Sequence, residues 1–275
     1  MKLSLKKIRK INYSKHKKRI KAYINVDISD WYRNPYTGPK ARFYNEVSSI
    51  IIFILQNTKI TPNFLTLTYA FLGLLSGVFL ASNNYNLVFL SLLILFSKSS
   101  LDWADGELAR IKKQTSELGD LLDHWAGHVG TYSFLCGLGI YLYNNTGDKH
   151  FVALAIIIIL LKSLDIKNYA YQLSMYKIFQ KGKKNKLNKK TNKKSEENKY
   201  GASNFLVSIK YFFQNFLGER SRTTDFICLL IFIDTFYARV SLLNYIYYLI
   251  FLRNFVLFCG GFYITYFKDF LNKIK

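Results

Sequence analysis

Proline and cysteine are scarce, with three of each in 275 residues, and 17 Asp and Glu face 39 Lys and Arg. Pro35, Pro39 and Pro62 all lie in the first 62 residues, so the remainder contains no strong helix breaker and can run as continuous helix. Cys136, Cys228 and Cys259 stand singly in apolar stretches without Cys-x2-Cys spacing. That argues against a disulfide framework or a structural zinc site, and reads as packing residues. The deficit of acid leaves a net charge of +22, yet the chain holds 23 Phe and 21 Tyr. A disordered basic tail would lack those aromatics, and a soluble domain would spread its charge more evenly. Here charge is segregated: residues 2–21 hold ten Lys and Arg, residues 181–199 hold nine Lys, and long stretches between are nearly uncharged. An integral membrane protein with basic loops has this pattern, which points to topology and anionic lipid head groups and away from nucleic acid. The basic amino terminus runs more than twenty residues before any apolar segment, unlike a cleavable signal peptide.

The first apolar span runs from Phe64 to Ala81, approached through Thr61-Pro62-Asn63, which reads as a cap and first helical positions, and ends at Ser82-Asn83-Asn84. A second, Leu87 to Phe96, is too short alone and must continue through Lys98 and Asp102 to cross about 30 Å of hydrocarbon. Further spans are expected at Trp125–Tyr143, from Phe151 to about Phe179, at 224–240 and at 242–267. The expected fold is all-α: a polytopic six-transmembrane-helix bundle with amphipathic interfacial helices at 41–58 and 203–218. Its connections at 82–86, 144–150 and 237–243 together contain one Lys, one Arg and one Asp, whereas the remaining segments carry the Lys-rich tracts. The positive-inside rule then places both termini and the Lys-rich loop at 181–200 in the cytoplasm. Residues 1–27 read as a basic cytoplasmic tail, and 28–275 as the membrane domain. Gly73-Leu-Leu-Ser-Gly77 is a small-xxx-small pattern that fits either a homodimer seam or close packing within the bundle.

Between the second and third spans stand Asp102-Trp-Ala-Asp105-Gly106-Glu-Leu-Ala109-Arg110 and, eight residues later, Gly119-Asp120-Leu-Leu-Asp123-His124-Trp-Ala-Gly127-His128. On a helix Asp102 and Asp105 lie about 60° apart, so their carboxylates share a face. Asp120, Asp123, His124 and His128 occupy an arc of about 140° on the next helix. Carboxylates at a membrane edge are costly unless they bind something, and a hard divalent cation such as Mg²⁺ takes oxygen ligands and shares them with substrate phosphates. An interfacial salt-bridge net with Arg110, Lys112 and Lys113 is the alternative. The convergence of several acids, and the space beside Gly106, Ala109 and Gly119, favours the metal.

The segment resembles the signature of the CDP-alcohol phosphatidyltransferase family, Asp-x2-Asp-Gly-x2-Ala-Arg-x8-Gly-x3-Asp-x3-Asp, matching every fixed position from Asp102 through Asp123. Thr-Pro-Asn at 61–63 followed by Leu65-Thr66 resembles that family's approach to its first span. The resemblance implies transfer of a phosphoalcohol group from a CDP-linked alcohol or lipid donor to the hydroxyl of an alcohol or lipid acceptor, with release of CMP, in phospholipid synthesis. It implies that Asp102, Asp105 and Asp123 hold Mg²⁺ or Mn²⁺, and that Gly106, Ala109, Arg110 and Gly119 line the CDP site. Phosphoryl chemistry independently calls for a positioned cation to offset charge on the phosphate oxygens and leaving group.

The pattern departs at its last position, where Gly127 stands for the family's fourth aspartate, a metal contact and candidate base. Gly119-Asp-Leu-Leu-Asp123-His124 is similar to the Gly-Glu-Leu-Phe-Asp-His variant of the choline/ethanolamine phosphotransferase branch. Asp120 and His124 share a face at i,i+4, and an imidazole steadied by a carboxylate suits a general base, with His128 a second substitute. Interfacial packing is the other reading of both histidines. The alternative function is a catalytically impaired relative that binds nucleotide or lipid; an ion transporter is disfavoured by the cluster's place near one membrane edge. Arg220 and Arg222, with Asp225, resemble the family's acceptor-holding segment, although arginines there also serve as interfacial anchors. Lys162, with Asp165 and Lys167, is expected to face the same cavity, because such charges seldom face lipid.

Overall fold

The computed structural model describes residues 3–24, 37–166 and 221–267. These residues are helical and contain no strand. In chain order the helices are α1 (Leu5–Ile24), α2 (Thr37–Leu55), α3 (Pro62–Leu80), α4 (Tyr85–Ser97), α5 (Ser99–Ile111), α6 (Glu117–Thr146), α7 (His150–Ser163), α8 (Ser221–Phe236) and α9 (Leu242–Phe267). The chain divides into two compact units, one comprising 1–152 with 224–240, the other 153–223 with 241–275.

Local chemistry sets the helix ends. Thr61 caps α3 by accepting the Phe64 amide at 3.3 Å, with Pro62 at a position that needs no amide donor. Asn84 caps α4 through the Asn86 amide, and Ser116 caps α6 through the Gly119 amide at 3.0 Å. α6 stops at Gly147, whose φ of 77° suits a residue without Cβ. Between α4 and α5 only Lys98 intervenes, and it keeps helical dihedrals, so 85–111 runs nearly unbroken through the charges that the length argument required it to include.

Among the described residues, three helical stretches are long and apolar enough to cross a membrane: Pro62–Leu80, Tyr85–Ile111 and Leu242–Tyr263. The six-span expectation also needs α6, α7 and α8. α6 has 30 residues, but Gly, Ser, Thr and two His dilute its apolar character, and α7 and α8 have 14 and 16 residues. Segment 203–218 and the loop at 181–200 lie outside the described residues.

In the first unit α3 lies against α6, α4 and α5, and α2 lies against α1 and α5. The α3 pattern inverts that of a soluble helix. Thr66, Ala70, Gly73, Ser76 and Gly77 face inward, while Phe64, Phe71, Leu74 and Val78 face outward. Small residues inside let backbones approach, and large apolar residues outside suit lipid. Gly73 meets the Gly130 Cα, where an added Cβ would sit 2.9 Å away, and Gly77 meets the Ser133 backbone and side chain. The small-xxx-small pattern is therefore spent on a seam within the chain. The Ser133 hydroxyl donates to the Leu74 carbonyl at 2.8 Å and that of Ser91 to the Ser76 carbonyl at 2.6 Å, lacing the same region.

Residues 5–24 of the basic amino-terminal segment form α1, which packs on α2. Ile8 is wholly buried with Ile52, Leu65, Ala104 and Leu108. Asn12 donates to the Ser49 hydroxyl, Tyr13 to Glu46, and Arg9 pairs with Glu46 at 2.7 Å. The buried back of the motif helix α5, at Ala104 and Leu108, is thus fixed by α1, α2 and α3, leaving its other face for the site.

Elsewhere in this unit Asp234, a charge within an apolar helix, is fully satisfied. It accepts from the Tyr141 hydroxyl at 2.7 Å, the Asn145 amide at 2.9 Å and the Val240 amide. A carboxylate so paired explains itself structurally.

Candidate active site

α5 carries Asp102, Asp105, Gly106, Ala109 and Arg110, and the first turns of α6 carry Gly119, Asp120, Asp123 and His124. α3 supplies the third wall through Thr66 and Tyr69. Asp105 is buried; its Oδ2 accepts from the Thr66 hydroxyl at 2.6 Å and its Oδ1 from the Gly106 amide at 2.5 Å. The Asp102 and Asp123 carboxyls come within hydrogen-bonding reach of each other, and both lie in the electrostatic field of Asp105. The Tyr69 phenol, one turn beyond Thr66, is in electrostatic reach of all three acids. Asp102, Asp105 and Asp123, the aspartates expected to share a metal, thus act on one another electrostatically across α5 and α6.

Whether these groups suit a hard cation follows from their chemistry. The donors are carboxylate oxygens from two helices, and two carboxyls facing each other repel unless a proton or a cation lies between them. That donor set fits Mg²⁺ or Mn²⁺. Among the described residues no three His, Cys, Asp or Glu side chains are already gathered into a cage. Asp105 has both oxygens engaged, by the Thr66 hydroxyl and by the Gly106 amide.

Two of the three basic residues of the alternative salt-bridge net, Arg110 and Lys112, have other hydrogen-bond partners. Arg110 directs Nε and Nη2 to Glu107 Oε2 at 3.0 and 2.8 Å. Lys112 donates to the carbonyls of Thr58 and Ile60 at 2.9 and 2.6 Å, tying the end of α5 to the α2–α3 connection. Glu107 is buried beneath Arg110 and holds a guanidinium that remains half exposed. Glu107 is not among the residues the sequence singles out, although its i,i+3 spacing from Arg110 signals the pairing.

The glycines differ in what they provide. A Cβ on Gly106 would lie 3.5 Å from Arg110 Nη2, so this glycine keeps the flank of the guanidinium open. A Cβ on Gly119 would come within 3.3 Å of Asn63 Oδ1 and Ser116 Oγ, so its absence lets the start of α6 sit against the Thr61-Pro62-Asn63 turn. At Gly127 nothing lies within 4 Å of an added Cβ, so the position of the missing aspartate is open space.

Asp120, His124 and His128 lie on the exposed arc of α6, with the His128 ring 5.8 Å from that of Tyr132. Lys162 lies in the second unit, near the charges of Arg253 and Asp165. Arg220 falls outside the described residues, as does the side chain of Arg222. Asp225, in the second turn of α8, is ion-paired with buried Lys40 of α2, whose ammonium also lies 4.2 Å from the centroid of the Phe96 ring.

The sequence pattern described as CDP-alcohol phosphatidyltransferase matches residues 59–215, more than half of the chain, and takes in α3, α4, α5, α6 and α7. No curated protein matches the chain.

Proposed function

The chain belongs to the CDP-alcohol phosphatidyltransferase family, and from that premise we propose that it is a membrane phosphotransferase of phospholipid synthesis. It transfers a phosphoalcohol group from a CDP-linked donor to a hydroxyl acceptor. The acceptor oxygen bonds to the phosphorus that carries the alcohol, the bond from that phosphorus to the CMP oxygen breaks, CMP leaves with the electron pair, and the hydroxyl proton passes to a base on the protein. The observation that carries this reading is the convergence of Asp102 and Asp105 of α5 with Asp123 of α6, Asp102 facing Asp123.

Asp102, Asp105 and Asp123 would hold Mg²⁺ or Mn²⁺. When bound, such a cation offsets charge on the diphosphate and on departing CMP. Thr66 holds the Asp105 carboxylate in one orientation. Glu107 holds Arg110, leaving the outer guanidinium donors for a phosphate oxygen. Gly106, Ala109 and Gly119 keep the floor flat enough for the cytidine and diphosphate. His124 takes the acceptor proton, supported by Asp120 at i,i+4, with His128 the second candidate. Lys162, Arg220 and Arg222 are the residues we assign to the acceptor.

The finer topology belongs to the same reading: six spans, both termini and the site on the cytoplasmic side, and the Lys tracts over anionic lipid. Its support is the distribution of Lys and Arg between the two sets of connections. Gly127 favours the second reading, an impaired relative that retains ligand binding.

Replacing Asp102 or Asp123 by Ala tests the assignment. Each variant is expected to remain folded in detergent and to release no CMP, whereas full Mg²⁺-dependent activity in either would remove the metal-site assignment.

A further inference from the structure

Lys98 is the one residue between α4 and α5, within a stretch that is otherwise apolar enough to span a membrane. A lysine there is costly to bury, and its presence calls for a role. The structure gives it a shaped seat. Its Nζ lies where side chains are missing from two facing helices: an added Cβ would come 2.5 Å from it at Gly130 and 3.4 Å at Gly73. Its ammonium also sits 5.4 Å from the centroid of the Tyr69 ring, within cation–π range. Among the described residues it makes no hydrogen bond or ion pair. The nearest opposite charge is Asp102, one helical turn further along, which acts on it through space.

This arrangement has two parts that chain topology alone does not demand. The α3–α6 crossing could close on glycines without any cation beside it, and the lysine could turn toward the membrane surface, as long basic side chains do near helix ends. Instead the ammonium is held inward at the glycines, one helical turn from Asp102, which faces Asp123. Tyr69 touches both parts: its ring lies beneath the Lys98 ammonium and its phenol is in the field of Asp102, Asp105 and Asp123. A positive charge one helical turn from Asp102 acts on that carboxylate through space, and in a segment apolar enough to span a membrane little water screens it.

We propose that Lys98 is a built-in counter-cation of the aspartate site, seated by Gly73, Gly130 and Tyr69, which weakens the site's grip on a divalent metal and so keeps that metal exchangeable. The inference rests on the assignment of Asp102, Asp105 and Asp123 as metal-binding groups. Lys98 itself ligates nothing; it is a positioning residue that acts through the charge it places beside Asp102. An internal cation stabilises the empty, mutually repelling carboxylates and opposes the arrival of a second positive charge. The two effects have the same sign for metal affinity, and both disappear when the charge is removed.

The test is a titration of purified protein in detergent with Mn²⁺, following the electron paramagnetic resonance signal of free Mn²⁺ without any substrate. Lys98→Met, which fills the seat with an uncharged chain of similar length, and Lys98→Gln are compared with the wild type, each checked for an unchanged thermal unfolding profile. Both substitutions remove a charge from an apolar segment, so the fold is expected to persist. The expected result is Mn²⁺ binding tighter by about tenfold in both variants. Mn²⁺ binding by Lys98→Met where the wild type shows none would support the proposal equally. Unchanged or weaker affinity in both variants, with a wild type that does bind, would overturn the counter-cation role and leave the aspartate assignment standing. Absence of Mn²⁺ binding in all three proteins would overturn the aspartate assignment and this proposal together.

Discussion

Thr66 on α3 donates its hydroxyl hydrogen to Asp105 on α5 across 2.6 Å, joining two motifs that lie 39 positions apart in the chain. Both residues are buried, so the bond fixes the carboxylate where little water competes for it. Thr66→Val keeps the shape and removes the donor. A hydrogen bond to a charged group contributes about 1.5–3 kcal/mol, so kcat/KM for CMP release should fall about tenfold or more, while Thr66→Ser retains most activity. Wild-type kinetics in Thr66→Val would show that Asp105 needs no such support.

The α3–α6 seam makes a stability prediction. A methyl group at Gly77 would fall on the Ser133 hydroxyl and on its backbone carbonyl, and the carbonyl, unlike the hydroxyl, cannot rotate away. Gly77→Ala should destabilise the protein by about 1–3 kcal/mol in detergent, read as a lower unfolding temperature. Gly260→Ala is the control, since nothing lies within 4 Å of its added Cβ. Equal unfolding temperatures for Gly77→Ala and wild type would contradict the seam.

Base assignment and the missing aspartate are tested together. His124→Ala should lower the rate of CMP release by about 10²–10⁴-fold, the usual contribution of a general base. Gly127→Asp should fold normally, because its side chain enters open space, and should alter metal dependence more than rate. A wild type without activity that gains it through Gly127→Asp would instead establish the impaired-relative reading. An active enzyme indifferent to His124→Ala would shift the assignment to His128.

Much of this architecture can be read from the sequence, and the unread part has a common cause. The helix from Pro62, its Thr61 cap, the stop at Ser82-Asn83-Asn84 and the continuation through Lys98 follow from local pattern and length, which act within a few residues. Asp102 and Asp123 face each other because the motif spacing sets each on one helix face. The Thr66–Asp105 bond, the burial of Ile8 against Ala104 and Leu108, and the seat of Lys98 at Gly73 and Gly130 depend on which helices meet. No local period reveals that. Ile8 and Asn12, four apart, mark the buried face of α1, but dense lysine around them hides it. Gly73 and Gly77 fit a dimer or an internal seam equally well in sequence, and only the position of Gly130 and Ser133 distinguishes the two.

Topology has its own measurement. In a background cleared of the three native cysteines, Lys190→Cys and Lys273→Cys should be labelled from the cytoplasmic side and Thr146→Cys from the opposite side. Labelling of 146 and 190 on one face would mean that the segment beginning at α7 does not cross, and the six-span layout would fail.

The central claim is tested most directly by incubating the purified wild-type protein with Mg²⁺, a panel of CDP-alcohols and CDP-lipids, and a set of hydroxyl acceptors, and measuring CMP. The account predicts CMP release that requires both a donor and an acceptor and appears in step with the transferred product. Absence of CMP with every donor–acceptor pair, from protein shown to be folded, would contradict it.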